Sequence, residues 1–255
     1  MRNTLLVIVF MLMMFVSNSV AQALKDTTKT YPQFRLAFIY GISNDNLQKE
    51  NIDSHTQVND VDNQGVAQNG NQYQQFSDVT KPFEELTITF TARPLNDYKL
   101  LILRVGRMQN DYKYTYISEE VNSSSTVVGS LRTEITEQYT VYPLSFGFGV
   151  ATHNHVAQIQ AEFIYALGYM NEEFAVTNSN KIRTTSSNNY HSETMGYRFS
   201  AQLNIHFLPT VSVHLEGGYR VLGFNGFANT VTDKNVGLDF SAGGVFFHSG
   251  LAIGF

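Results

Sequence analysis

Residues 195–207 read Met195-Gly-Tyr-Arg-Phe-Ser-Ala-Gln-Leu-Asn-Ile-His-Phe207. The odd positions are Met195, Tyr197, Phe199, Ala201, Leu203, Ile205 and Phe207, and between them stand Gly196, Arg198, Ser200, Gln202, Asn204 and His206. A strand sends successive side chains to opposite faces, whereas a helix repeats every 3.6 residues, so only a strand gathers these apolar residues on one side. The same beat runs outward in both directions. Ala157, Ile159, Ala161, Phe163, Tyr165, Leu167 and Tyr169 alternate with Gln158, Gln160 and Glu162, and Val211, Val213, Leu215, Gly217, Tyr219 and Val221 alternate with Ser212, His214, Glu216 and Arg220.

Five further segments carry the pattern: Phe34–Tyr40, Leu86–Thr91, Leu101–Val105, Tyr142–Val150 and a Gly-rich stretch from Phe240 to Phe255. The total is eight predicted strands. Short turns at 94–98, 152–155 and 208–210 alternate with long polar stretches at about 43–82, 117–130, 170–190 and 223–236, the rhythm of a barrel with short turns at one end and long loops at the other. Placing Phe207 opposite Val211 keeps every odd residue of both strands on one face and sets Arg198 opposite Arg220. A slip of one residue would turn Arg198, Gln202, Asn204 and His206 to the apolar side.

Composition narrows the functional classes. The chain has 255 residues, 17 Lys+Arg against 22 Asp+Glu, and no Cys or Trp. A net charge of −5 without a basic block excludes nucleic acid as a partner, since that affinity rests on many cationic contacts to phosphates. Without Cys there is no disulfide framework, thiolate metal site or Cys nucleophile. Arg2, the twelve apolar residues Leu5 to Val16 and Ala21-Gln22-Ala23 have the three-part layout of a cleaved secretory signal, giving a signal peptide at 1–23 and a barrel domain at 24–255.

Two barrels show this alternation: a soluble one with its apolar face inward around a ligand, and a membrane one with its apolar face outward. Apolar faces of six or seven alternate residues run for about 33–40 Å of strand, which on strands tilted by about 45° suits the apolar band of a membrane barrel. Phe34, Phe207 and Phe255 gather at one end of the strands, and Tyr40, Tyr169, Tyr197 and Tyr219 toward the other, as interfacial girdles do. The opposite face bears Arg35, Arg104, Arg198, Arg220, Glu162, Glu216, Gln158, Gln160 and Gln202, an unsuitable lining for an apolar ligand pocket. The prediction is therefore an all-β, eight-stranded antiparallel transmembrane β-barrel.

With its signal segment, eight alternating strands and terminal Phe, the chain resembles the small outer-membrane β-barrel proteins of Gram-negative bacteria, the group of OmpA-transmembrane-like and porin-like proteins. His248-x-Gly250-x-x-Ile253-x-Phe255 is similar to the C-terminal signal read by the barrel-assembly machinery, with Ile253 departing from its strictest form. The resemblance implies location in the outer membrane, contact with outer-membrane lipid and lipopolysaccharide, and assembly by that machinery. It names no extracellular partner.

Eight strands enclose only enough space for side chains, so Arg104, Glu162 and Glu216, six or seven residues from their short turns, are expected to meet in a lumenal ion-pair network with Arg198 and Arg220. Facing each other, Arg198 and Arg220 require a carboxylate or an anion, which acidic residues of a loop could supply. Catalysis needs a nucleophile, a base and an acid on one face. His191-Ser192 and His248-Ser249 are chain neighbours that point to opposite faces, and His206, His214, Ser212 and Glu216 read as polar packing. Asp60-Val-Asp62-Asn-Gln64-Gly65 begins like a calcium loop but has Asn71 where the bidentate Glu belongs. His153 and His155 read as turn residues. No metal or cofactor is expected, and the Asn/Gln-rich stretch 43–82 reads as a solvated surface segment. Tyr112, Tyr114 and Tyr116 with Leu131, Thr133 and Ile135 predict that the second hairpin continues beyond the membrane. The expected role is a non-enzymatic membrane scaffold for surface loops. A narrow gated pore is the alternative, and a lipid-modifying enzyme a third reading.

Overall fold

The computed structural model describes residues 33–44, 74–78, 83–93, 99–121, 127–152, 156–208, 210–232 and 239–255. The signal-like segment 1–23, the Asp60–Asn71 motif, the turn at 94–98, and His153 and His155 lie outside the described residues. Among the described residues eleven strands follow in order: β1 (Phe34–Asn44), β2 (Gln74–Asp78), β3 (Phe83–Ala92), β4 (Lys99–Val121), β5 (Val127–Ala151), β6 (Ala157–Thr177), β7 (Arg183–Leu208), β8 (Val211–Asn225), β9 (Ala228–Asn229), β10 (Asp239–Ser241) and β11 (Gly244–Gly254). Eight of them, β1, β3, β4, β5, β6, β7, β8 and β11, pair antiparallel in that order, and β11 returns to β1 to close the ring. The predicted eight-stranded antiparallel barrel is the observed fold.

The stagger of the ring follows from the register. Paired residues lead from Arg35 through Thr91, Ile102, Gly147, Glu162, Arg198 and Arg220 to Gly244. They come back to β1 just beyond Asn44, about ten residues from the start, and an offset of this kind tilts the strands. The Arg198–Arg220 pairing stands as the parity reading placed it. At the short turn, however, a register shift between His206 and Leu208 sets Leu208, not Phe207, against Val211.

Outward side chains form a continuous apolar belt. Leu86, Phe148, Ile159, Phe163, Phe199, Leu203, Phe247 and Leu251 are each more than half exposed. A soluble protein seldom shows an apolar patch of even a few hundred Å², whereas lipid requires such a surface. With every ring strand paired on both sides, no backbone edge is left open in the belt. The protein spans a membrane with its strands. Arg in place of Leu215, whose side chain lies in the belt, is expected to cost about 2–4 kcal/mol. At Gln138, which is exposed on β5 beyond the belt, the same change stays within about 0.5 kcal/mol. Urea midpoints of the two variants folded into vesicles check the contrast.

Two of the four long connections differ from the sequence reading. The stretches 117–130 and 170–190 are mostly strand: β4 and β5 pair out to Val121 and Val127, and β6 and β7 pair out to Thr177 and Arg183. The predicted continuation of the second hairpin is present. It is one half of a four-stranded sheet, β4 to β7, rising past the belt, because β5 and β6 also stay paired out to Arg132 and Thr177. The cause is an inversion of face chemistry. On β4 the outward residues run Leu101, Leu103 and Val105, then Arg107, Gln109 and Asp111; the inward ones run from Arg104 to Met108 and Tyr112. On β6, Ile159 and Phe163 give way outward to Asn171 and Glu173, while Glu162 gives way inward to Ile164, Ala166 and Met170. Lipid drives no apolar collapse. Above the belt, water surrounds the outer face and the hydrophobic effect packs the inner one. Period 2 persists and only its polarity reverses, so a search for outward apolar faces stops too early.

Candidate functional site

The sole side of each pleat with little access to solvent or lipid is the lumen, and two layers fill it. Toward the short turns lies a charged layer. Arg104 projects from β4 between two carboxylates: its Nε and Nη2 donate to both oxygens of Glu162 at 3.0 and 2.9 Å, and its Nη1 and Nη2 donate to both oxygens of Glu216 at 3.0 and 3.1 Å. Two forked Arg–carboxylate contacts on one guanidinium hold three strands, β4, β6 and β8, in fixed relation. Ser145 also donates to Glu162, and Arg198 Nη2 approaches Glu216 Oε2 at 2.9 Å. Beneath them Gln160 donates to Gln158 and Gln202, at 3.1 and 2.7 Å, and Gln202 donates to Asn204 at 2.7 Å.

The carboxylate between Arg198 and Arg220 is Glu85 on β3. It lies 2.7 Å from Arg220 Nη1 and 3.7 Å from Arg198 Nη1, so the ring itself supplies the group where a loop had been considered. His248 on β11 completes the cluster. Its Nδ1 lies 3.0 Å from Arg198 Nη2 and its Nε2 lies 3.1 Å from Glu85 Oε2, which suits the tautomer carrying hydrogen on Nε2. All five residues expected in the network, Arg104, Glu162, Glu216, Arg198 and Arg220, are brought together, with Glu85 and His248 beside them. Glu85 was legible, since it shares the phase of Thr87 and Thr89, but the predicted strand began one residue too late. Pairing matters here, because a charge removed from water without a partner costs several kcal/mol.

The four positions of the terminal motif divide between the faces. His248 faces the lumen, whereas Ile253 and Phe255 are half or more exposed on the lipid side. Gly250 lies on the seam, where a Cβ would run into the carbonyl oxygen of Phe38 and the Cα of Ile39, so only glycine lets β11 and β1 approach. Gly41 performs a related task, because a Cβ there would occupy the His248 ring.

The second layer is apolar, a correction to the expectation of a hydrophilic lumen throughout. Phe83, Met108, Tyr112, Ile135, Tyr139, Ile164, Met170, Tyr190, Leu222, Phe224, Phe227 and Phe240 form one buried cluster toward the long hairpins. Phe240 stacks on Tyr139 with centroids 4.4 Å apart and meets Phe83, Phe224 and Phe227 at 5.6–6.1 Å. Phe246 marks the border between layers, with the Arg198 guanidinium 3.9 Å above its ring. Tyr139 and Tyr190 bury their hydroxyls by donating to Glu137 and Glu172 at 2.7 and 3.1 Å.

The other candidates separate. His191 is exposed on the outer face while Ser192 donates to the Gly226 carbonyl at 2.8 Å; His248 is lumenal and Ser249 faces lipid. His214 Nε2 contacts Glu216 at 3.3 Å, and His206 Nε2 lies 3.4 Å from Arg35 Nη2. Among the described residues no three His, Asp or Glu side chains are grouped to hold a metal ion.

No protein-family model and no curated protein sequence matches the chain. Among solved structures it is similar to Ail, the attachment invasion locus protein of Yersinia pestis, with 11% identity over 88% of this chain and 99% of that one and a TM-score of 0.38. It is also similar to the outer membrane protein OprG of Pseudomonas aeruginosa, with 9% identity, coverage of 88% and 96%, and a TM-score of 0.38. The outer membrane protease OmpT of Escherichia coli follows with 8% identity, coverage of 88% and 94%, and a TM-score of 0.35. These likenesses carry nothing about the lumen or its residues. The ring of eight antiparallel strands, apolar outside and charged within, is in its own right the architecture of small outer-membrane barrels.

Proposed function

We propose that the chain is an integral outer-membrane barrel with its short turns in the periplasm, working as a sealed, non-enzymatic scaffold that holds a four-stranded sheet and loops above the outer surface. One observation carries the reading: the lumen is filled twice, by a charge-balanced ion-pair layer and by an aromatic plug, while β4 to β7 continue past the lipid belt. A conduit would need a continuous polar path, and the Phe240 cluster interrupts it. The lumenal residues Arg104, Glu162, Glu216, Arg198 and Arg220 serve rigidity in this reading. His248, Gly250, Ile253 and Phe255 serve recognition by the barrel-assembly machinery, with lipid and lipopolysaccharide around the belt. Refolded protein in a planar bilayer is expected to give no channel steps under voltage. Discrete steps that change size in Glu162→Gln would replace this reading with the pore.

A further inference from the structure

The charged layer balances three guanidiniums, Arg104, Arg198 and Arg220, against three carboxylates, Glu85, Glu162 and Glu216. A fourth guanidinium stands outside that balance. Arg35, one residue from the start of β1, points into the lumen at its short-turn end and is only 8% exposed. Among the described residues it has no carboxylate partner. Its Nη2 lies 3.4 Å from His206 Nε2 on β7, and its Nη1 is buried without a hydrogen-bond acceptor. Thr89, at the next inward position of the neighbouring strand β3 (its pair is Ala37), also has a buried hydroxyl without a partner. The flanking inward side chains on β1 and β11, Ala37, Ile39 and Ala252, are apolar and offer no counter-charge.

A buried guanidinium with no anion is costly, and Arg35, held by the accepting Nε2 of His206 and with a hydroxyl on the neighbouring strand, has the donors of an oxyanion site. We infer that Arg35, with His206 and Thr89, binds a phosphate-type oxyanion at the short-turn mouth of the lumen. The guanidinium offers a two-pronged fork to two oxygens, and the hydroxyl of β3 lies on another strand, an arrangement suited to a tetrahedral anion. The Phe240 cluster closes the opposite end, so the ligand enters from the short-turn side, which is periplasmic on the reading above. Binding is independent of whether the outer loops are a scaffold.

The test uses the refolded barrel in a phosphate-free maltoside detergent. Urea midpoints are taken for the native protein and Arg35→Met, with inorganic phosphate, with a short-chain phosphatidylglycerol, and with sodium chloride at equal ionic strength. In chloride the variant is expected to be as stable as the native protein or more so, since an uncompensated cation has been removed. Phosphate or the lipid should raise the midpoint of the native protein alone. A response to inorganic phosphate assigns the free anion, and a response confined to the lipid assigns its headgroup. Binding isotherms should show phosphate affinity about tenfold or more weaker in Arg35→Met, as expected for losing charge-assisted hydrogen bonds. The inference is overturned if neither phosphate source exceeds chloride, or if the variant responds equally. A flat isotherm of inorganic phosphate and of the lipid with the native protein overturns it without any variant. Channel recordings test the scaffold separately, so the two ideas fail independently.

Discussion

Replacement of Arg104 by Met is expected to destabilise the barrel by about 3–5 kcal/mol, the cost of breaking a buried ion pair from one side. The side chain holds Glu162 and Glu216 together through four contacts of 2.9–3.1 Å, and no other group replaces the forked contact on Glu162. Removing it leaves two carboxylates for which, among the described residues, Arg198 is the remaining guanidinium in reach. Arg104→Lys keeps the charge but loses the planar fork, so an intermediate loss follows. The double variant Arg104→Met/Glu162→Gln should recover part of the deficit, because the two sites are coupled and their effects do not add. Urea titration in phosphatidylcholine vesicles, read by heat-modifiable gel mobility, supplies the numbers. A single-variant loss below 1 kcal/mol would remove the network from the list of what holds the ring.

Phe240→Ala addresses the other layer. Phe240 is 3% exposed and touches four aromatic rings, so its truncation carries both the lost transfer free energy and the cavity left behind, about 3–5 kcal/mol for a buried Phe. The loss should fall mainly on the long-hairpin end, where Phe227 and Phe224 also lose a neighbour. Amide hydrogen exchange is expected to speed up around Tyr139 and Phe227, while β1 and β11 below Gly250 stay protected. Because the charged layer lies beneath, the variant should still pass no current. Current through Phe240→Ala alone would show that the aromatic plug was the only seal.

Much of the barrel was legible in the chain because lipid imposes one demand on every strand: the outward residue must be apolar. The runs at 157–169, 195–207 and 211–221 obey it for six or seven positions, and the register of the last two followed from counting their turn, up to the shift at Leu208. The charged layer was legible for the same reason, since Arg104, Glu162 and Glu216 are conspicuous where the belt forces the alternative face to be polar. The second layer was not. Tyr112 and Ile135 were legible as strand in the hairpin beyond the membrane but not as core, and Met108 and Tyr139 sit beside polar outward neighbours, a pattern that looks like a loop to a search for greasy outer faces. Phe227 and Phe240 are placed by the return of β8 toward β11, a tertiary contact with no local period. Glu85 was lost to a boundary error of one residue, the least dependable part of any strand assignment.

The seam between β1 and β11 has a temporal consequence. Arg35 pairs with Gly254, so the first ring strand finds its second neighbour only when the most distant part of the described chain arrives. Until then the growing sheet carries two ladders of unsatisfied amides and carbonyls, the surface on which foreign strands add and proteases act. A polypeptide cut short before residue 244 would keep seven of its staves and still lack a closed hoop. Its quality control is thus written into its geometry: completion is tested by whether the ends can meet.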